Sequence, residues 1–257
     1  MQNRKVIEHI TKWLKNYALN SNQKGYIIGI SGGIDSALTS ILCAKTGLDV
    51  LIVTLPLRQR KEEYDRATAH IKKIKADYEN VKSMDIDLSS VFNALGNCLP
   101  EDTVSNKLAM ANTQSRLRMT TLYALGQANG LLVAGTGNKI EDFGVGFFTK
   151  YGDGGVDVSP IADLTKSQVR LLAKELGIHL EIIEAAPTDG LWDEERTDEI
   201  QMGASYPELE WAMDFNGDET NLSIREKEVI EIYRRLNKIN QHKMVPIPVC
   251  TIPKDLY

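Results

Sequence analysis

The 257-residue chain predicts an α/β fold, an open parallel sheet flanked by helices. Three observations carry that expectation. Residues 26–30 (Tyr-Ile-Ile-Gly-Ile) and 50–55 (Val-Leu-Ile-Val-Thr-Leu) are short apolar runs rich in β-formers, the pattern of strands buried on both faces. Between them Leu38, Ile41 and Leu42 recur at helical spacing, so the three pieces form a βαβ unit with parallel strands and a right-handed crossover. A further apolar run, Leu131 to Ala134, follows a long proline-free stretch and enters a turn of small residues.

In chain order, residues 3–19 place Val6, Ile7, Ile10, Trp13, Leu14 and Tyr17 three and four apart, an amphipathic helix. The first strand then turns through Gly29-Ile30-Ser31-Gly32-Gly33-Ile34-Asp35-Ser36 into the next helix. A strand that turns through adjacent glycines into a helix N-terminus is built to hold an anion. Backbone N–H groups reach the ligand closely, and the helix end adds unpaired donors. No Gly-Lys-Ser/Thr follows, so this is not a Walker A loop. Asp35 would repel a bare phosphate, and it makes sense as a ligand for Mg²⁺ on the far side of the phosphates.

Residues Pro56-Leu57-Arg58-Gln59-Arg60-Lys61 leave the second strand where such sheets bind ligands. Arg58 and Gln59 read equally as nucleotide contacts or as a solvated turn. Residues 62–78 form a charged amphipathic helix with Tyr64, Ala67, His70, Ile71 and Ile74 on its apolar stripe, where His70 reads as a packed core histidine. Val81 to Ile86 is a weaker strand, and Val91, Phe92 and Leu95 suggest a short helix before Pro100. Residues 103–129 read as one long helix with Asn112, Arg116 and Met119 on one face and Arg118 pointing elsewhere. A guanidinium fork on that face suits a phosphate or carboxylate, although a surface salt bridge is its commoner use.

From Thr136 to Pro160 the chain is glycine-rich and aperiodic. A loop of this length in a compact domain is functional or disordered, and Phe143, Phe147, Phe148 and Tyr151, which want burial or stacking, argue against disorder. Within it Glu141 is a candidate second Mg²⁺ ligand, and Lys150 could neutralise charge on a phosphoanhydride or leaving group. Thr165-Lys166-Ser167-Gln168 has capping-box form and opens a helix through Leu176. Lys166 in its first turn goes against the preference for acids there. Residues 189–199 are acidic and read as a mobile surface loop, with no role given to Asp193 or Glu194. Residues 223–240 form a charged helix leading to Gln241-His242-Lys243, read equally as a helix cap or a ligand contact. An extended tail starts at about residue 244.

Composition narrows the classes. Hydrophobic residues at 42% and charged residues at 25% are ordinary for a globular protein, expected here as one domain spanning 1–257. A net charge of −5 argues against nucleic-acid binding. Cys43, Cys98 and Cys250 form no Cys-x-x-Cys pair, so neither a zinc site nor a disulfide framework is suggested. No stretch reaches the apolar length of a membrane span, and the N-terminus lacks an apolar signal core. The expectation is a cytoplasmic protein.

The octet 29–36 resembles the pyrophosphate loop of the N-type ATP pyrophosphatases, which adenylate a substrate and release pyrophosphate. The resemblance narrows at Gly135-Thr136, four residues and Glu141, then Gly-Phe-Phe-Thr-Lys-Tyr-Gly-Asp-Gly-Gly-x-Asp at 146–157 and Leu164-Thr165-Lys166-Ser167-Gln168-Val169. Together with Ala186-Pro187-Thr188 and His242-Lys243, these are similar to the ammonia-dependent NAD synthetases. Three local departures are Gly137-Asn138-Lys139-Ile140 in place of an Asp-His-Ala-Ala run, one extra residue between Glu141 and Gly146, and Leu57-Arg58-Gln59-Arg60 in the loop after Leu55-Pro56.

The resemblance implies a Rossmann-like fold of the adenine nucleotide alpha hydrolase type. It implies a ligase that adenylates the nicotinate carboxylate of deamido-NAD with ATP and displaces AMP with ammonia to form NAD. It assigns ATP to Gly29, Ile30, Ser31, Gly32, Gly33, Ile34, Asp35, Ser36, Thr136, Lys166 and Thr188. Deamido-NAD falls to Arg116, Lys150, Asp157, His242 and Lys243, and Mg²⁺ to Asp35 and Glu141. Asp35, Lys166 and Lys150 are then the catalytic set. A homodimer is also implied. Glutamine-using relatives carry an amidase domain for which this chain has no room, so free ammonia is the expected donor, with a separate glutaminase partner as the alternative. The competing readings are another ATP pyrophosphatase, such as a tRNA-thiolating enzyme, and a non-catalytic nucleotide-binding module.

Overall fold

The computed structural model describes residues 1–57, 60–188, 190 and 197–257. Four parallel strands, β1 (Gly25–Gly29), β2 (Asp49–Thr54), β3 (Val81–Asp85) and β4 (Leu131–Val133), form one sheet in the order β3-β2-β1-β4. The helices are α1 (Asn3–Asn20), α2 (Ile34–Ala44), α3 (Lys61–Asp77), α4 (Ser89–Cys98), α5 (Glu101–Ser105) and α6 (Lys107–Asn129), then α7 (Lys166–Glu175), α8 (Leu180–Ile183), α9 (Asp198–Met202), α10 (Tyr206–Asp214) and α11 (Ile224–Met244).

The continuous apolar strands are explained by cover on both faces. Tyr26, Ile28, Val50 and Ile52 point to one side, where Ile7 and Leu14 of α1, Leu38 and Leu42 of α2 and Val169 and Leu172 of α7 complete a core. Ile27, Leu51 and Val53 point to the other, against Phe92 of α4 and Met119 and Leu122 of α6. Gly126 lets α6 lie close to the sheet. A Cβ there would stand 2.9 Å from the Leu131 carbonyl oxygen and 3.1 Å from Ile27 Cγ2. A third cluster joins α10 and α11 to a π-helical turn, Ile140–Val145, through Ile140, Tyr206, Leu209 and Val229.

The strand order reverses between β1 and β4, so the loops leaving those two strands diverge and open a crevice at the carboxyl end of the sheet. Both the 29–36 octet and the 134–137 turn lie there.

Several sequence expectations change in three dimensions. The helix expected over 103–129 is two, because Asn106 breaks it and caps α6 by accepting from the Ala109 N–H. The 136–160 stretch is not structureless, since it holds the π-helical turn and a single parallel bridge from Ala134 to Val158. Phe143 and Tyr151 are exposed, and only Phe147 and Phe148 of the four aromatics are half-buried. On α1 the buried stripe is Ile7, Ile10, Leu14 and Ala18, while Trp13 and Tyr17 stand outside it with ring centroids 5.6 Å apart. α11 continues to Met244, which puts His242 and Lys243 inside its last turn. Asp198 and Glu199 open α9 rather than a surface loop, and Asp198 is buried. Asp193, Glu194, Arg58 and Gln59 lie outside the described residues.

Candidate active site

Residues 29–36 carry β1 into α2 with Gly33 as N-cap and no side-chain cap on that helix end. The first-turn N–H groups are therefore left for a ligand. The loop is held by its own serines: Ser31 Oγ lies 3.1 Å from Ser36 Oγ, and Ser36 Oγ donates to the Gly33 carbonyl at 3.0 Å. Gly32 has φ +87°, and a Cβ there would stand 2.2 Å from the Glu63 carbonyl oxygen, so α3 presses directly on the loop. Arg66 of α3 adds a hydrogen bond from Nε to the Gly32 carbonyl at 3.3 Å.

The loop forms one wall of a cavity of about 690 Å³ that reaches the β4 exit, the glycine-rich stretch, α6, α7 and the end of α11. At its floor three charged groups meet. Lys166 Nζ lies 2.6 Å from Asp35 Oδ2 and 3.0 Å from Glu141 Oε1, with its side chain only 3% exposed. Burial alone would lower the pKa of this ammonium, but the charges of Asp35 and Glu141 and its hydrogen bonds to them hold it above the ordinary lysine range. Asn138 is fully buried between the two acids. Its Nδ2 donates to Asp35 Oδ1 at 3.4 Å, and its Oδ1 accepts from the N–H groups of Ile140 and Glu141 at 3.2 Å each. The Tyr206 hydroxyl donates to Glu141 Oε1 at 2.6 Å. Burial, then the charges of Glu141 and Asp198, pushes this phenol far up, so it remains a donor.

The acids fit Mg²⁺. One ammonium reaches both Asp35 and Glu141, so they are close enough to share a cation, and carboxylate oxygens are the donors that hard ion takes. Among the described residues no group of three His, Cys, Asp or Glu side chains is arranged to hold a metal. Nucleotide phosphates and waters would complete the coordination, which is the habit of Mg²⁺.

The remaining expected residues are placed unevenly. Thr136 and Thr188 line the cavity, and Thr188 Oγ1 donates to Glu63 Oε1 at 2.8 Å. Arg116, Lys150, His242 and Lys243 line its outer end. They are linked through backbone carbonyls: Arg116 Nε donates to Lys150 O at 3.2 Å, Lys150 Nζ to His242 O at 2.6 Å and Lys243 Nζ to Phe148 O at 2.8 Å. Asp157 does not line the cavity. It accepts from the Val133 N–H at 2.8 Å and the Tyr123 hydroxyl at 3.1 Å. Arg118, expected to point away, also lines the cavity, because its long side chain turns back so that Nε meets the Leu55 carbonyl at 3.1 Å.

Asn138, Tyr206, Asp142 and Arg66 were not singled out from the sequence. Asn138 carried a local signal, a cap-forming residue three before an acid. Tyr206 carried none beyond its own capping box at Ser205 and Glu208. Asp142 is pushed up to about 8 by burial, then by Glu141, Asp153 and Asp35. Between pH 4 and 8 the unfolded chain would release this proton while the folded one keeps it, so the wild type loses stability as pH rises through that window. Asp142→Asn is expected to melt about 4 °C or more above wild type at pH 9, with the difference closing toward pH 4. Thermal melts across that range check it, and a pH-independent difference would refute it.

Comparison with known proteins agrees with this geometry. A family model described as NAD synthase matches residues 6–246. The chain is 36% identical over 245 residues to the NH(3)-dependent NAD(+) synthetase of Mesoplasma florum, covering 95% of each. It is 41% identical over 215 residues to that of Mycoplasmopsis pulmonis, covering 81% of this chain and 80% of that one. Among solved structures it superposes on the NMN synthetase of Francisella tularensis with a TM-score of 0.84 at 29% identity, covering 99% of both chains. It also superposes on the NH3-dependent NAD synthetase of Campylobacter jejuni with a TM-score of 0.78 at 25% identity, covering 98% of this chain and 100% of that one. With its glycine loop, paired acids and glycine-rich segment in one crevice and the family model matched over residues 6–246, the chain belongs to the NAD synthase family.

Proposed function

We propose that the protein is an ammonia-dependent ligase that amidates deamido-NAD to NAD, consuming ATP and releasing AMP and pyrophosphate. The observation that carries this reading is the meeting of Asp35, Glu141 and Lys166 beside the open N-terminus of α2. A carboxylate resists attack by ammonia because the attack adds charge to an anion. Adenylation converts one oxygen into part of a leaving group. Transfer of the adenylyl group to the nicotinate carboxylate needs positioning and charge neutralisation rather than a protein nucleophile. Cys43 is fully buried within α2 and supplies no nucleophile.

In this reading the N–H groups of 33–36 bind the pyrophosphate, and Lys166, at the floor, moves from the carboxylates to the phosphates when nucleotide arrives. Asp35 and Glu141 would then hold Mg²⁺, which supplies charge neutralisation on the phosphate oxygens when bound. Thr136 and Thr188 serve the ATP side. Arg116, Lys150, His242 and Lys243 serve the acceptor from the outer end, and Asp157 is assigned there from family resemblance alone. The whole chain acts as one catalytic unit in the cytoplasm. No helix among the described residues is long and apolar enough to cross a membrane.

The assay is NAD formation from deamido-NAD, ATP and Mg²⁺ with ammonium or glutamine, following AMP and pyrophosphate. Product with ammonium alone is expected. No ATP turnover by folded protein would defeat the reading. One observation favours a second acceptor: a close structural neighbour is an NMN synthetase. The acid of that mononucleotide is therefore run in parallel, and a higher kcat/KM for it would reassign the substrate. We also infer a homodimer, supported by exposed Val91, Leu95, Val104 and Leu108 along α4 to α6. Light scattering that returns a monomer mass at micromolar concentration would overturn it.

A further inference from the structure

Tyr206 belongs to neither the nucleotide loop nor the glycine-rich stretch, yet its side chain reaches the centre of the site. It is the first residue of α10 and is fully buried. The helix start is fixed by the Ser205–Glu208 capping box and by the Tyr206 N–H, which donates to Glu199 Oε1 at 2.9 Å. From this anchored position the hydroxyl meets Glu141 Oε1 at 2.6 Å and lies 3.3 Å from Asp198 Oδ2. The ring face lies 4.6 Å from Lys166 Nζ. One side chain thus contacts both the carboxylate and the ammonium.

The phenol has a single proton, and its short contact is the one to Glu141. Glu141 Oε1 therefore receives two donors, Tyr206 and Lys166, while Oε2 accepts no hydrogen bond among the described residues. Two donors on one oxygen fix the carboxylate torsion and leave the other oxygen open. A charge-assisted hydrogen bond from a rigid, buried donor is a strong way to do this. The ring contributes separately, since an aromatic face attracts the Lys166 ammonium without adding another anion to compete with the nucleotide. Tyr206 also packs with Leu209 of α10, Val229 of α11 and Ile140 of the π-helical turn, so the third hydrophobic cluster is mechanically joined to the metal-binding acid.

We infer that Tyr206 is a positioning residue of the nucleotide–metal site, orienting Glu141 so that its free oxygen is offered to a divalent cation and backing the Lys166 ammonium. The inference rests on the reading of Asp35 and Glu141 as the carboxylates that hold Mg²⁺. Tyr206 touches no substrate and acts only through these two neighbours.

The test is Tyr206→Phe, which keeps the ring and removes the donor. Mn²⁺ binding to the enzyme with a non-hydrolysable ATP analogue, read by electron paramagnetic resonance, is expected to weaken about tenfold, the loss typical of one charge-assisted bond. Binding of the analogue in EDTA is expected to stay within about twofold of wild type, because the retained ring leaves Lys166 in place. In turnover, the Mg²⁺ concentration for half-maximal rate is expected to rise more than kcat falls. In a Glu141→Gln background the same change is expected to alter Mn²⁺ affinity by less than about twofold, since a residue acting through Glu141 has nothing left to orient.

Mn²⁺ affinity unchanged in the single variant would overturn the inference. So would a full additional tenfold loss in the double variant, or a parallel loss of metal affinity, analogue affinity and melting temperature, which is the signature of a purely structural role. Wild-type enzyme that binds Mn²⁺ and analogue but makes no NAD would defeat the proposed reaction and leave the Tyr206 role standing. Wild-type metal affinity in Glu141→Gln would remove the metal ligand and this role with it.

Discussion

Asp35→Asn is expected to lower kcat/KM for ATP by about a thousandfold in a protein that still folds. The amide keeps the size of the side chain, and Lys166 retains Glu141 as a partner at 3.0 Å, so no buried ammonium is left alone. What disappears is one of two carboxylates at the place where the proposed reaction brings a divalent cation and the phosphates together. Phosphoryl-type transfer depends on that neutralisation because the protein contributes no covalent step. Circular dichroism with steady-state kinetics separates folding from catalysis. A folded Asp35→Asn protein within tenfold of wild-type activity would remove the paired-acid reading and favour a module that merely binds nucleotide.

The second large effect falls on stability as well as rate. Lys166→Met takes away the ammonium that lies between Asp35 and Glu141, leaving two neighbouring carboxylates, each with a side chain only 16% exposed. Breaking a buried pair by removing one partner costs about 3–5 kcal/mol, which for a chain of this size lowers the melting temperature by roughly 6–20 °C. The deficit has a defined pH dependence. Burial and the neighbouring Glu141 charge push the Asp35 carboxyl up and Lys166 opposes them, so without Lys166 the folded protein binds a proton there that the unfolded chain releases. Stability is then lost as pH rises, and the deficit relative to wild type is expected to be smaller at pH 5 than at pH 8. Added Mg²⁺ is expected to recover part of it at pH 8 by binding the folded state alone. A deficit that grows on acidification, or a variant as stable as wild type at pH 8, would show that Lys166 does not compensate the two acids.

Both variants also bear on how the nucleotide enters. Lys166 is engaged by Asp35 and Glu141, so on the proposed reading phosphate binding exchanges those contacts for new ones. The π-helical turn that carries Glu141 is tied to α11 by Asn237 and Asn240, which donate to the carbonyls of Gly144 and Val145 at 2.7 and 2.8 Å. Lys243 holds Phe148 from the same helix. The acid pair is therefore set against rigid supports on both sides, with α2 below Asp35 and the α10–α11 cluster behind Glu141.

The chain's local chemistry alone determined the βαβ start, the parallel sheet, the glycine turn from strand to helix at 29–36 and the membership suggested by the glycine-rich segment. These features are contiguous. An apolar run flanked by turn residues, or glycines before a helix, imposes its conformation within a few residues. The division of α5 from α6 went against the single helix read over 103–129, because the capping preference of Asn106 outweighed the unbroken helical pattern around it. Tertiary structure decided the rest. Lys166 meets Asp35 across 131 residues, and Tyr206 meets Glu141 across 65. Arg118 enters the cavity because a flexible side chain can leave the face its position assigns, whereas Asp157, on the expected motif, is held by the Val133 N–H and the Tyr123 hydroxyl instead. Periodicity specifies which face of an element is buried. It does not specify which distant element covers that face or how a long side chain turns there, and the charges at the centre of this site were placed by those two choices.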